Sequence, residues 1–140
     1  MLQQISVFVE NKTGRLCAIM ETLAAAQINI RALTIADTAD FGIVRLIVGD
    51  VGKAATALHE KDFTIKITEV IAFAIPDRPG AMYDVVKLLG EGDIDIDYSY
   101  SLVVGQQKDA ELVIKTKDAD NAVKILSDAG IRLLTMDDLS

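Results

Sequence analysis

Tryptophan is absent, and 140 residues hold only four phenylalanines and three tyrosines. Positive charge is also scarce: 14 Lys and Arg against 21 Asp and Glu give a net charge of −7. A phosphate-backbone binder needs clustered basic residues, and a single-strand RNA module needs stacking aromatics, so nucleic acid is excluded as a partner. The single Cys17 cannot form an internal disulfide, which fits a reducing compartment. It falls in a predicted helix, where a small half-buried apolar role is expected. With His59 as the one histidine, no metal cluster has useful spacing and no Cys–His pair with an orienting third group can be built. No apolar run approaches the roughly 20 residues of a membrane span. The opening Met1-Leu2-Gln3-Gln4 has neither the basic flank nor the apolar stretch of a signal peptide. The expected location is the cytoplasm, with no membrane partner. There is no Walker loop and no dinucleotide glycine fingerprint, so no cofactor is expected.

Half of the residues are apolar, which is ample for a core, and they recur in a pattern that appears twice. Residues 5–67 and 71–135 align. At an offset of 66, Asn11-Lys12-Thr13-Gly14 falls on Asp77-Arg78-Pro79-Gly80, and Leu16, Ile19, Met20 and Leu23 fall on Met82, Val85, Val86 and Leu89. Ile28-Asn29-Ile30 meets Ile94-Asp95-Ile96, and after a two-residue insertion Asp50, Ala54 and Leu58 meet Asp118, Ala122 and Leu126. The period is too long for a solenoid unit and suits a small duplicated domain, with modules expected at 1–68 and 69–140. Domains of that size are marginal alone, so each should lean on another module.

Residues 5–10 and 71–75 read as strands rich in β-branched residues. A helical period follows at 16, 19, 20 and 23, and at 82, 85, 86 and 89. Pro79 suits a first helical turn. The stretch 90–92, with Gly90 and Gly92, should end the second copy's helix, and Ala24, Ala25 and Ala26 should end the first less sharply. A strand is expected at 28–37 and again at 94–103. In the second copy it alternates cleanly, with Asp93, Asp95 and Asp97 on the wet face. Those three carboxylates read as solvated, because calcium needs about 6–8 converging oxygens. Turns at Thr38, Ala39, Asp40 and Gly42, and at 105–108, lead to a third strand. Asp50 and Asp118 read as N-caps of a second helix, in which His59 sits late, facing solvent. Residues 63–68 and 131–135 close each copy. No Gly or Pro interrupts 63–75, so the last strand of copy one should run almost straight into the first of copy two. Each copy is βαββαβ. The fold class is therefore α+β, two ferredoxin-like modules with antiparallel sheets and helices on one face.

The remaining chemistry lies in the loop between the first strand and first helix of each copy. It sets backbone N–H groups at a helix N-terminus, where an anion is favoured. Gly14 and Gly80 leave room for a ligand to approach, and Asn11 and Asp77 can accept from an ammonium. Donors for a carboxylate beside an acceptor for an ammonium suit a free α-amino acid. The ordinary alternative is that Asn and Asp here cap helices or make Asx turns.

The duplicated βαββαβ pattern, with Asn11-Lys12-Thr13-Gly14 and Asp77-Arg78-Pro79-Gly80 after the first strand, resembles the ACT domain, the small-molecule-sensing module of amino-acid metabolism. The resemblance covers the whole chain as two modules without a catalytic domain. It implies regulatory, non-enzymatic binding of an amino acid between two modules. The loop of one, including Arg15 or Ala81, would face the start of the second strand of the other, at Asn29 or Asp95. A serine-binding ACT module has a histidine two residues before the loop asparagine; Val9 and Ile75 stand there, so serine specificity does not carry over. If unlike copies meet, each site receives one amide and one carboxylate, Asn11 with Asp95 and Asp77 with Asn29.

A homodimer or higher oligomer is expected. ACT modules commonly pair through the second strand and first helix. Side-by-side pairing within one chain would need the connection to span about 29 Å, and three or four residues reach only about 10–14 Å. The alternative function is an interaction subunit docking on an amino-acid biosynthetic enzyme. Leu33 and Ile35 motivate it, since they stand where the second copy has Ser99 and Ser101, and an apolar patch on a wet face often marks a partner surface. An acylphosphatase-like enzyme, using Arg15 and Asn11, is a weaker alternative because Ala81 replaces the arginine in the second copy.

Overall fold

A computed structural model describes residues 1–10, 12–37, 40–103 and 109–139. The elements run β1 (Leu2–Glu10), α1 (Arg15–Ala25), β2 (Ile30–Asp37), β3 (Phe41–Val48), α2 (Val51–Glu60), β4 (Thr64–Pro76), α3 (Ala81–Glu91), β5 (Tyr98–Ser101), β6 (Asp109–Lys115), α4 (Ala119–Asp128) and β7 (Arg132–Leu133), with a 3₁₀ turn at Met136–Leu139. The chain forms two compact units, Gln3–Thr68 and Met1–Leu2 with Glu69–Ser140. The change of unit falls inside β4, thirteen residues long, whose only Gly or Pro is its terminal Pro76.

In the first unit β1 pairs antiparallel with β3, Val7 opposite Val44, and β3 pairs antiparallel with β2, Ile35 opposite Val44. In the second unit the order is β7-β4-β6-β5, all antiparallel, with Phe73 opposite both Leu112 and Leu133. Helix α1 packs on α2, and α3 on α4. The second unit's core joins Ile71, Phe73 and Ile75 of β4 to Val85 and Leu89 of α3 and Leu126 of α4. In the first unit Ile5, Val7, Ile19, Leu23, Leu46 and Leu58 are fully enclosed. Each such side chain contributes about 1.5–3 kcal/mol.

Asp50 caps α2 by accepting from the Lys53 N–H at 3.1 Å, and Asp118 caps α4 through the Asn121 N–H at 3.4 Å. All four helices end alike, so copy one stops as sharply as copy two, against expectation. The N–H of Gln27 donates to the Ala24 carbonyl and that of Ile28 to Leu23. The same pair of bonds closes α2 from Asp62 and Phe63, α3 from Asp93 and Ile94, and α4 from Gly130 and Ile131. This is the Schellman arrangement, in which one residue turns left-handed and the next apolar residue folds back toward the helix. Gln27, Asp62 and Asp93 take the left-handed conformation without being glycine. Helix α3 ends at Glu91 with Gly92 as its cap, inside the expected 90–92 stretch, and the closing bonds run from Ile28 to Leu23 in copy one and from Ile94 to Leu89 in copy two.

Other expectations need correction. Cys17 is exposed rather than half-buried, because α1 buries only Ile19 and Leu23. Leu16 and Val86, counted on the inward stripe, are 38% and 44% exposed. Pro79 precedes α3 instead of opening it, since Gly80 takes the cap position. The second copy's second strand is regular only over Tyr98–Ser101, although Asp97 and Leu102 still donate to Lys115 and Glu111 carbonyls. The expected alternation holds there: Ile94 and Leu102 are buried, and Asp93, Asp95 and Asp97 are exposed. The final strand shortens to Arg132–Leu133. Thr38, Ala39 and residues 105–108, expected as turns, lie outside the described residues.

Candidate functional site

The two helix-opening loops match bond for bond. Lys12 N–H donates to the Glu10 carbonyl at 2.8 Å, Arg15 to Lys12 at 3.3 Å and Ala18 to Gly14 at 3.0 Å. Sixty-six residues on, Arg78 donates to Pro76 at 3.0 Å, Ala81 to Arg78 at 3.2 Å and Asp84 to Gly80 at 3.0 Å. Gly14 and Gly80 occupy the N-cap positions with φ of 90° and 86°. That left-handed turn is why glycine stands there. A Cβ on Gly14 would meet nothing within 4 Å. Among the described residues no side chain caps α1 or α3, so Asp77 does not cap α3. The first helical N–H, of Arg15 or Ala81, is taken by the loop carbonyl; the next two, of Leu16 and Cys17 or of Met82 and Tyr83, have no intrahelical acceptor, and the dipole favours an anion there.

The side chains on these loops differ. Lys12 Nζ lies 2.7 Å from Glu10, both largely exposed. The Lys12 hydrogen bond, then its charge, holds the Glu10 carboxyl below the usual range, with a smaller contribution from Arg15. The Arg15 guanidinium stacks 4.8 Å over the Phe63 ring. In the second copy Arg78 folds back onto its own helix, 3.0 Å from Asp84, and donates to the Pro79 carbonyl at 3.2 Å. Ala81, at the Arg15 position, is buried in the core. Thr13, Pro79, Gly80 and Asp77 are exposed. Asn11 lies outside the described residues.

Beside each loop is a cleft, and the two occupy matching places. The first measures about 490 Å³ and is lined by Glu10, Lys12, Arg15 and three phenylalanines, Phe8, Phe41 and Phe63. The second, about 290 Å³, is lined by the counterparts Pro76, Arg78, Ala81 and Ile131, with Val85 and Leu88. Sequence reasoning named Lys12 and Arg15 but missed the phenylalanines. No local pattern joins them: Phe8 lies near the end of β1, Phe41 opens β3 and Phe63 follows α2.

The second-strand positions lie elsewhere. Asn29 is exposed, its carbonyl accepting from Gly49 at 3.2 Å. It follows α1, whereas the loop precedes it. Eleven helical residues separate the two by about 16 Å. Asp95 stands in the same relation to α3 and borders a hollow of about 140 Å³ with Asp97, Lys117 and Asp118. Neither copy alone brings its loop and its second-strand position together. Among the described residues no group of three or more His, Cys, Asp or Glu side chains could hold a metal ion.

Across residues 1–140 the chain matches the family model described as an ACT domain pair. It belongs to that family. Among solved structures it is similar to protein BT0572 from Bacteroides thetaiotaomicron, at 39% identity and TM-score 0.91, covering 99% of this chain and 94% of that one. The ligand-free regulatory subunit of aspartate kinase from Thermus thermophilus shares the fold at 11% identity and TM-score 0.62, over 91% of each chain. An aspartokinase alpha and beta subunit structure does so at 18% and 0.60, over 91% and 90%. No curated protein matches. Among the described residues no helix is long and apolar enough to cross a membrane.

Proposed function

We propose that this ACT domain pair is a regulatory protein, not an enzyme, that binds a free amino acid at a helix-opening loop completed by a second module. The observation that carries the reading is the uncapped helix N-terminus behind a left-handed glycine, built by the same three backbone bonds in both copies. Orphan N–H groups there suit the ligand's carboxylate. Loop carboxylates, Glu10 in one copy and Asp77 in the other, suit its ammonium. Modules 1–68 and 69–140 are the binding units, acting in the cytoplasm as a homodimer. The separation of Asn29 from the loop of its own copy supports completion of the site by another module. The test is a thermal-shift screen of the twenty amino acids. A ligand at about 100 times its dissociation constant, bound only by the native state, adds about 2.7 kcal/mol, and a 140-residue chain then melts several degrees higher. No shift with any of them removes the amino-acid reading.

A second reading, docking on an amino-acid biosynthetic enzyme, draws on Leu33 and Ile35. They are 41% and 52% exposed on β2, which in its unit pairs with β3. Apolar side chains on an exposed strand face invite a partner.

A further inference from the structure

We infer that the cleft of the second copy receives the ligand's side chain, and that the ligand is an amino acid with a branched aliphatic side chain, bound once per chain. This rests on the amino-acid reading and narrows it. Every side chain that lines this cleft is apolar except those of Arg78 and Asp84. Ile75, Ala81 and Val85 are buried in the core beneath it. Leu88 and Ile131 are only half-buried, so they keep apolar area that an incoming side chain can cover. An apolar hollow with a few placed polar groups is the usual build of a small-molecule site. The volume of about 290 Å³ stands at the small end of the range for such sites, roughly 300–1,000 Å³, and suits a single amino acid.

One position decides between the copies. Copy one has Arg15 where copy two has Ala81. The Arg15 guanidinium lies 4.8 Å over Phe63, the counterpart of Ile131, and covers it. Ala81 ends at its Cβ, so nothing from that position reaches over Ile131. The walls of copy one's cleft also carry Glu10, Lys12 and Asp62, groups that an aliphatic side chain would strip of water without pairing them. An aliphatic side chain is therefore favoured in copy two alone. The charges beside the second cleft suit a zwitterion. Arg78 and Asp84 face each other at 3.0 Å with side chains 55% and 59% exposed, a contact worth little in water. An α-amino acid replaces it at little cost, its carboxylate on Arg78 and its ammonium on Asp84. Held by those two groups, it has only apolar walls for its side chain to enter.

Isothermal titration of the full chain with L-valine, L-leucine and L-isoleucine, and with L-alanine, L-lysine, L-aspartate and L-tryptophan, tests the inference. At least one of the branched aliphatic amino acids should bind at one site per chain, and the other four at least about tenfold more weakly, since each methylene in an apolar pocket is worth about tenfold or more. Arg78→Ala and Asp84→Asn should each weaken that binding about tenfold or more by removing a charge-assisted hydrogen bond. Both positions are exposed, so these variants should fold, which circular dichroism checks. Leu88→Arg, filling the second cleft, should abolish binding; if that variant does not fold, the two exposed ones decide. Preference for a charged or aromatic amino acid leaves the amino-acid reading standing and overturns this one. So does aliphatic binding at two sites per chain, or binding that survives Leu88→Arg in a folded variant or is unchanged by Arg78→Ala and Asp84→Asn. Absence of binding by all seven overturns this inference, and the twenty-member screen then decides the broader reading.

Discussion

The two copies share a backbone and differ in what they hang on it. The loops agree in every inter-residue backbone bond described, and both glycines turn left-handed. Yet in copy one Arg15 reaches out over Phe63, while its counterpart Ala81 is buried. In copy two the arginine stands three positions earlier, at Arg78 in the place of Lys12, and closes on Asp84. Backbone geometry is fixed by local rules that two glycines and two Schellman ends enforce. The walls of the cleft carry no such constraint, and that is where duplicated modules are free to divide their roles.

The cores are the first place to break the comparison. Phe73 in copy two and Val7 in copy one occupy matching positions on their strands, and both are fully buried. Copy two concentrates in one ring the apolar volume that copy one spreads over several aliphatic side chains. Phe73→Ala should cost about 3–5 kcal/mol, and Val7→Ala about 1–3 kcal/mol from two lost carbons and their void. Urea denaturation of both variants measures this. Equal losses would mean that the cores are equivalent despite the difference in residue size.

The left-handed positions sharpen it next. Gly14, Gly80 and Gly130 hold this conformation with glycine, whereas Gln27, Asp62 and Asp93 hold it with a side chain. A non-glycine residue there costs roughly 1–2 kcal/mol, partly offset because glycine loosens the unfolded chain. Gln27→Gly and Asp93→Gly should each stabilise by about 0.5–1 kcal/mol. Gly14→Ala, Gly80→Ala and Gly130→Ala should each destabilise by about as much or more. A neutral Gly14→Ala alongside a costly Gly80→Ala would show that the loops are not conformational equals.

These two comparisons also mark how far the sequence was legible. The repeat, the element order and the Asp50 and Asp118 caps follow from patterns of one residue type at one spacing. Helix ends were harder. The signal lies in the pairs Leu23 with Ile28 and Leu58 with Phe63, which no turn residue announces. The exposure of Leu16, Cys17 and Val86 was invisible because a helical stripe says which residues line up, not how wide a strip the sheet covers. The loop residues were legible as a site from the glycine and the strand-to-helix change. The phenylalanine cleft was not, since Phe8 on β1, Phe41 on β3 and Phe63 after α2 line one cleft only once the elements between them are in place. The Arg78–Asp84 closure joins residues six apart across a helix start, a distance outside any standard pairing rule.

The smallest expected effect lies on β6. Glu111 is 5% exposed, and Arg45 stands at the matching position of copy one. Burial raises the Glu111 carboxyl above its ordinary value of 4.5; Arg132 lowers it, while Asp138 and Asp109 add to the rise. Arg132 flanks the same Ala74 that Glu111 faces, but it is already engaged with Asp138 at 3.3 Å, so its charge offsets the burial only in part. An acid whose folded pKa is raised binds its proton more tightly in the native state. Its contribution is therefore fully present below the unfolded value and is lost as pH rises through the folded one. Glu111→Gln keeps the shape and removes the ionisation. The variant should melt higher than the parent at pH 7 to 8, about a degree or two on the scale of a fraction of a kcal/mol. That advantage should vanish as pH falls below the ordinary glutamate range. Melting curves across pH by circular dichroism measure the difference. An advantage that grows in acid, or a variant less stable at neutral pH, would mean that the arginine outweighs the burial and that copy two holds its buried carboxylate as a stabilising charge.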